Sequence, residues 1–137
     1  MRKYYLFIIK NNYFKNYQKK PNIIYKNLEN IYKIRKYDFP YGINLYHQLC
    51  QPFGFKILTN YINNKFDYKK ISEKIIKLES NFEVTYIQIN YSSVIIVSSE
   101  NMPEIFKTLY IYNKNIFVCD FINQDYFWLT KQIKLIK

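Results

Sequence analysis

His47 and Cys50 stand three residues apart in "YHQLC", and a thiol beside an imidazole is the pairing here that suggests nucleophilic catalysis. On a helix that spacing puts the two side chains on neighbouring faces. Catalytic dyads more often join separate elements, so a partly buried cysteine and an exposed histidine is the plainer expectation. Asp120 interrupts the apolar run "IFVCDF" and is the most unusual of the 10 acidic residues. A carboxylate at a strand end, capping the following turn, accounts for it. Cys50 and Cys119 are far apart, and His47 is the single histidine, so a Cys/His zinc centre cannot be assembled. Gly42 and Gly54 are the two glycines, which removes a P-loop and a Rossmann turn. The expectation is a protein without a catalytic, metal or cofactor site.

Aromatic residues carry the remaining signal. Tyr13, Phe14 and Tyr17 arrive within five positions of "NNYFKNY", directly after the apolar run "YYLFII". If Asn11 or Asn12 caps a short helix there, Tyr13 and Tyr17 are i, i+4 neighbours, about 5–6 Å apart at Cβ. The helical period turns Phe14 about 100° away from them. The expectation is Phe14 inward and the two tyrosines outward, where tyrosine is favoured at protein contacts. "VTYIQINY" is the other aromatic stretch of interest, because tyrosines among lysines can form a stacking platform for single strands. It lacks the paired, glycine-flanked aromatic motifs of an RRM.

The net charge of +11 raises the same question of partners. A basic chain of this kind attracts nucleic acid or an anionic surface. Of its 21 basic residues only Arg2 and Arg35 are arginine, leaving 19 scattered lysines, and alanine is absent altogether. Phosphate clamps favour arginine's planar fork, whereas Lys, Asn, Ile, Tyr and Phe are what AT-rich codons specify. Lysine spread over a solvated surface is thus the first reading, and sequence-independent nucleic-acid binding the alternative.

The elements that must position these residues follow from periodicity. "KYYLFII" (3–9) is apolar on both faces, as for a strand inside a sheet. After Pro21, Ile24, Leu28 and Ile31 recur at helical spacing, and Ile34 continues the stripe. "DFPYG" (38–42) reads as a turn, and "INLYHQLC" as a short helix ending before Gln51-Pro52. Ile57, Leu58, Tyr61 and Ile62 predict a helix over 55–62. Ile71, Ile75 and Leu78 predict another over 67–78, capped by Asp67. Phe82, Val84, Tyr86 and Ile89 then alternate approximately, and with "SVIIVSS" they make 82–99 a hairpin. "ENMPEIFKTLYIY" is helical, with Pro103 near its first turn. "IFVCDF", a polar "NQD" turn and "YFWL" follow. No linker or repeat divides residues 1–137, so one domain is expected. Its class is α+β: a single small mixed sheet, built from the N-terminal strand, the central hairpin and the C-terminal strand, packed against several short helices. The six-residue apolar run after the basic start is too short for a signal peptide, and no stretch nears the ~18 apolar residues of a membrane span. Reduced cysteines in a cytoplasmic protein are the expectation.

Read end to end, the chain resembles the SirA family, sporulation inhibitors of replication from spore-forming Firmicutes. Two stretches carry the likeness: "YYLFIIK" followed by the helix with Tyr13 and Tyr17, and "VIIVSS…EIFKTLYIYNKNIFVCDFINQDYFWL". In the second, Asp120-Phe121, Asn123 and Tyr126-x-Trp128-Leu129 follow the family's order, and Gln51-Pro52 falls in register. The resemblance implies a non-enzymatic protein, without cofactor or metal, that binds the N-terminal domain of the replication initiator DnaA and blocks initiation on entry to sporulation. It implies a contact surface of Tyr13 and Tyr17 on the first helix, with Leu45 and Gln48 on the helix ahead of Gln51-Pro52. Lys15 and Lys19 beside the tyrosines would suit an acidic rim on that partner. A monomer is expected. The chain departs from the family in two places: Leu45 occupies a polar contact position, and Phe127 stands where a glycine is usual.

Overall fold

Every side chain from Leu6 to Ile9 is buried, although successive residues of a strand point to opposite faces. A strand can bury both faces only at the centre of a covered sheet, and β1 (Arg2–Ile9) occupies that place in the computed structural model, which describes residues 1–34 and 39–136. The chain continues through α1 (Asn11–Tyr17), α2 (Pro21–Ile34), α3 (Phe39–Leu49), β2 (Cys50–Gln51) and α4 (Phe55–Asn63). β3 (Lys69–Lys70), β4 (Ile75–Glu79), β5 (Val84–Ile89) and β6 (Val94–Ser98) come next. α5 (Ile105–Tyr112), β7 (Ile116–Asp120), β8 (Asp125–Trp128) and α6 (Leu129–Ile136) complete it.

The eight strands form one sheet in the order β3-β4-β5-β6-β1-β7-β8, with β2 paired to the far end of β1. The α+β class is as expected, but every pairing among the described strands is antiparallel where a mixed sheet was expected. The reason is the α5 crossover. It brings β7 back in the direction of β6, and β1 lies between them, antiparallel to both.

Two cores result. Tyr4, Leu6 and Ile8 point into the first, under Leu58 and Ile62 of α4, Phe106 and Leu109 of α5, and Leu129 and Ile133 of α6. Phe7 and Ile9 point into the second, under Ile24, Leu28 and Ile31 of α2 and Tyr46 and Leu49 of α3. The α2 stripe is the one read from the sequence, and burying each such aliphatic side chain stabilises the fold by about 1.5–3 kcal/mol. Two polar side chains face the first core and satisfy each other: Thr85 and Ser98, cross-strand partners, hold their hydroxyls 2.8 Å apart.

Four local expectations are corrected. Residues 67–78 are not a helix: Lys69–Lys70 and Ile75–Glu79 are strands, with Ile76 and Leu78 buried and Ile71 exposed. Asp67 accordingly caps no helix there. The hairpin is present, but the buried side chains of its first strand are Thr85, Ile87 and Ile89, and Phe82 lies outside that strand and is 86% exposed. Helix α3 starts at Phe39, so Pro40 and Gly42 are inside it; proline is tolerated in a first turn, where its missing N–H leaves no bond unmade. In α4 only Leu58 and Ile62 of the expected four are buried, and Ile57 faces solvent. Arg35 and Asp38, the latter in the expected 38–42 turn, lie outside the described residues.

Candidate protein-interaction surface

Helix α1 begins one residue earlier than an asparagine cap allows. Lys10 is its N-cap residue, no side chain caps it, and Phe14 N–H donates to the Lys10 carbonyl at 2.8 Å. Asn11 turns instead to Asn115, whose Nδ2 donates to Asn11 Oδ1 at 2.6 Å and to the Ile9 carbonyl at 3.2 Å. The expected split, with Phe14 inward and the two tyrosines outward, is not what the helix shows. Tyr13, Phe14 and Tyr17 are all half-buried, and all three pack on the second core.

Each ring has a definite neighbour. The Tyr13 and Tyr17 centroids are 4.5 Å apart with the ring planes inclined at 30°. Asn27 of α2 donates its side-chain N–H to the Tyr13 hydroxyl at 2.5 Å. Burial raises the Tyr13 hydroxyl above its ordinary pKa, and the Asn27 bond offsets this in part. Phe14 meets Trp128 edge-to-face at 4.9 Å, and Trp128 Nε1 donates to the Gln18 carbonyl at 2.9 Å. Trp128 therefore closes the far end of α1. Beside it, Phe14, Gln18, Lys114, Asn115, Trp128 and Lys131 line a cleft of about 400 Å³.

The end of α3 is the neighbour of α1. Lys10 N–H donates to the Leu49 carbonyl at 2.9 Å, tying the start of one helix to the end of the other. Tyr46, wholly buried, anchors α3, and its hydroxyl donates to the Gln51 carbonyl at 3.0 Å. With Tyr46 inward, Leu45 is half-buried on the second core and Gln48 is exposed. Tyr13 and Tyr17 of α1 and Leu45 of α3 thus pack on the same core, Gln48 is exposed on α3, and Lys15 and Lys19 are exposed near the tyrosines in sequence. Asn27, which helps to hold this surface in place, carried no sequence signal, and Trp128 stood out only within the closing Tyr126-x-Trp128-Leu129 motif, because its contacts with Phe14 and Gln18 are remote along the chain.

His47 and Cys50 are not brought together. The His47 ring sits among Tyr46 and Tyr91, 3.4 Å from the Tyr91 hydroxyl, whereas Cys50 is buried in the second core. Burial pushes the thiols of Cys50 and Cys119 well above their ordinary range, so neither supplies a thiolate near neutral pH. Asp120 ends β7 as expected. It accepts from the Asn123 backbone N–H at 3.1 Å, from Asn123 Nδ2 at 2.7 Å and from Arg2 Nε at 2.7 Å. Burial alone would raise its carboxyl, but Arg2 and Asn123 outweigh burial and hold it below the ordinary aspartate value. Arg2 also reaches Asp125 at 2.5 Å, so the network clamps β1 to the β7–β8 turn. Among the described residues no three metal-binding side chains gather, and no helix is long and apolar enough to cross a membrane. Compared with known proteins, the chain matches no family model and no curated relative.

Proposed function

We propose that this protein is a non-enzymatic regulator that binds the N-terminal domain of the initiator DnaA and restrains chromosome replication, in the manner of the SirA family. It acts in the cytoplasm as a monomer, and entry to sporulation is the setting the resemblance implies. The observation that carries the reading is the close, tilted Tyr13–Tyr17 ring pair, half-buried on α1, with Tyr13 bonded to α2 through Asn27. Two rigid aromatic side chains presented together lose little rotamer freedom on binding and offer large contact area. Gln48 and Leu45 on the adjoining end of α3 extend that contact, and Lys15 and Lys19 supply a basic rim that speeds encounter with an acidic partner. The buried, protonated cysteines argue against a thiol enzyme.

Co-purification of tagged protein with the host's DnaA N-terminal domain tests this directly, with capture expected from the unmutated chain and reduced for Tyr17→Ala. No capture by the unmutated chain overturns it. The alternative, sequence-independent nucleic-acid binding, draws on the +11 charge. It requires a mobility shift that weakens steeply between about 50 and 200 mM salt.

A further inference from the structure

Among the described residues, the half of the sheet beyond β1 is covered on one side only. Ile76 and Leu78 of β4, Thr85, Ile87 and Ile89 of β5, and Val94, Ile96 and Ser98 of β6 are buried. The alternate residues are not. Ile75, Val84, Tyr86, Ile95 and Val97 are each half-exposed, and none packs on either core. Register places them side by side. Lys69, Lys77, Tyr86, Val97 and Lys3 form one cross-strand row over five strands, and Ile75, Gln88, Ile95 and Tyr5 form the next. A contiguous apolar patch of this kind, left uncovered, marks a contact site.

We infer that this open sheet face is a second docking surface, and that its occupant is an acidic, amphipathic segment of a partner protein. Charge decides the occupant. Lys3 and Lys69 stand at the two ends of the row with Lys77 inside it, and the acid on this face, Glu79, is held by Lys77 at 3.5 Å. A second copy laid on the face would set lysines against lysines. A single-stranded nucleic acid would need rings to stack on, but four of the five central side chains are aliphatic. The two rings in these rows are already taken: Tyr86 has Lys77 Nζ 5.8 Å from its centre, and Tyr5 has Lys3 Nζ 5.2 Å from its centre. Aliphatic side chains from a partner fit Ile95 and Val97, and carboxylates flanking them fit Lys3 and Lys69. The edge itself is not offered: β3 is two lysines long, which discourages an added strand. The occupant therefore lies across the face. This inference uses none of the α1–α3 surface and stands apart from the DnaA reading.

A random-peptide display selection on the full chain tests it, followed by titration of the recovered peptides in solution. The recovered peptides should combine apolar and acidic residues and bind more weakly as salt rises. Ile95→Thr and Val97→Thr keep a β-branched side chain, so the strand is retained, and each should cost about tenfold in affinity. Lys3→Gln with Lys69→Gln should lower affinity by a similar factor and flatten the salt dependence, which provides a second readout should a threonine variant unfold. Four outcomes overturn the inference: no peptides recovered, peptides without acidic residues, peptides indifferent to all these substitutions, or labelled oligothymidine binding this face in preference. Self-association lost in Val97→Thr overturns it as well.

Discussion

The rings of Tyr13 and Tyr17 lie 4.5 Å apart, one turn from each other on α1, but among the described residues only the Tyr13 hydroxyl has a hydrogen-bond partner, Asn27. The two tyrosines therefore differ in what their loss would do. Tyr17→Ala removes contact area and leaves the α1–α2 bond in place. Tyr13→Ala removes that bond as well and leaves Asn27 short of a partner, at a cost of about 1 kcal/mol or more. In thermal denaturation Tyr13→Ala should melt measurably lower than Tyr17→Ala. Equal melting temperatures would show that the Asn27 bond contributes nothing.

Arg2 and Asn123 stabilise the ionised Asp120 carboxylate, so this contact is acid-sensitive. The folded carboxyl is held below its ordinary value of about 3.9, so its contribution is present above that pH and is lost as pH falls through the folded value. Asp120→Asn should destabilise the protein by about 2 kcal/mol at neutral pH. The gap between variant and unmutated protein should close below about pH 4, as the unmutated carboxyl protonates. Chemical denaturation at pH 7 and pH 3 measures both. A gap that is the same at the two pH values would contradict the Arg2–Asp120 assignment.

Trp128 is the single tryptophan, and it is 3% exposed between Phe14 and Phe117. Its emission should be that of a shielded indole and should shift to the red in Phe14→Ala, which opens one side of it. An unchanged spectrum would mean that α1 does not cover this end of the sheet.

Cys50 and Cys119 are both fully buried, with their thiols kept protonated. A thiol-specific reagent at pH 8 should label neither in the native state and both after unfolding in denaturant. Rapid native labelling of Cys50 would reopen the thiol-enzyme reading.

The elements legible in the sequence are those whose burial is decided locally. Ile24, Leu28 and Ile31 show their helix outright, and "YYLFII" and "IFVCD" are apolar on both faces because β1 and β7 are covered on both. Residues 67–78 were not legible. Ile71, Ile75 and Leu78 mimic a helical stripe, but pairing of Ile76 with Ile87 and Leu78 with Thr85 selects period two. That choice is made by β5, not by the segment itself. The α1 register failed for a similar reason: the side chain of Asn115, remote in sequence, draws Asn11 away from capping and leaves Lys10 as the N-cap. The four candidate contact residues were read as a set from the resemblance. The Lys10–Leu49 backbone bond that ties the start of α1 to the end of α3 leaves no mark on residue type.

The central claim is that α1 and the end of α3 bind the N-terminal domain of DnaA with Tyr17 as an anchor. Titration calorimetry of that domain into the unmutated protein and into Tyr17→Ala tests it most directly. The expected result is binding by the unmutated protein and a loss of about 2 kcal/mol, roughly thirtyfold in Kd, for a variant whose melting temperature is unchanged. Absence of binding by the unmutated protein, or equal affinity of the two, would contradict the claim.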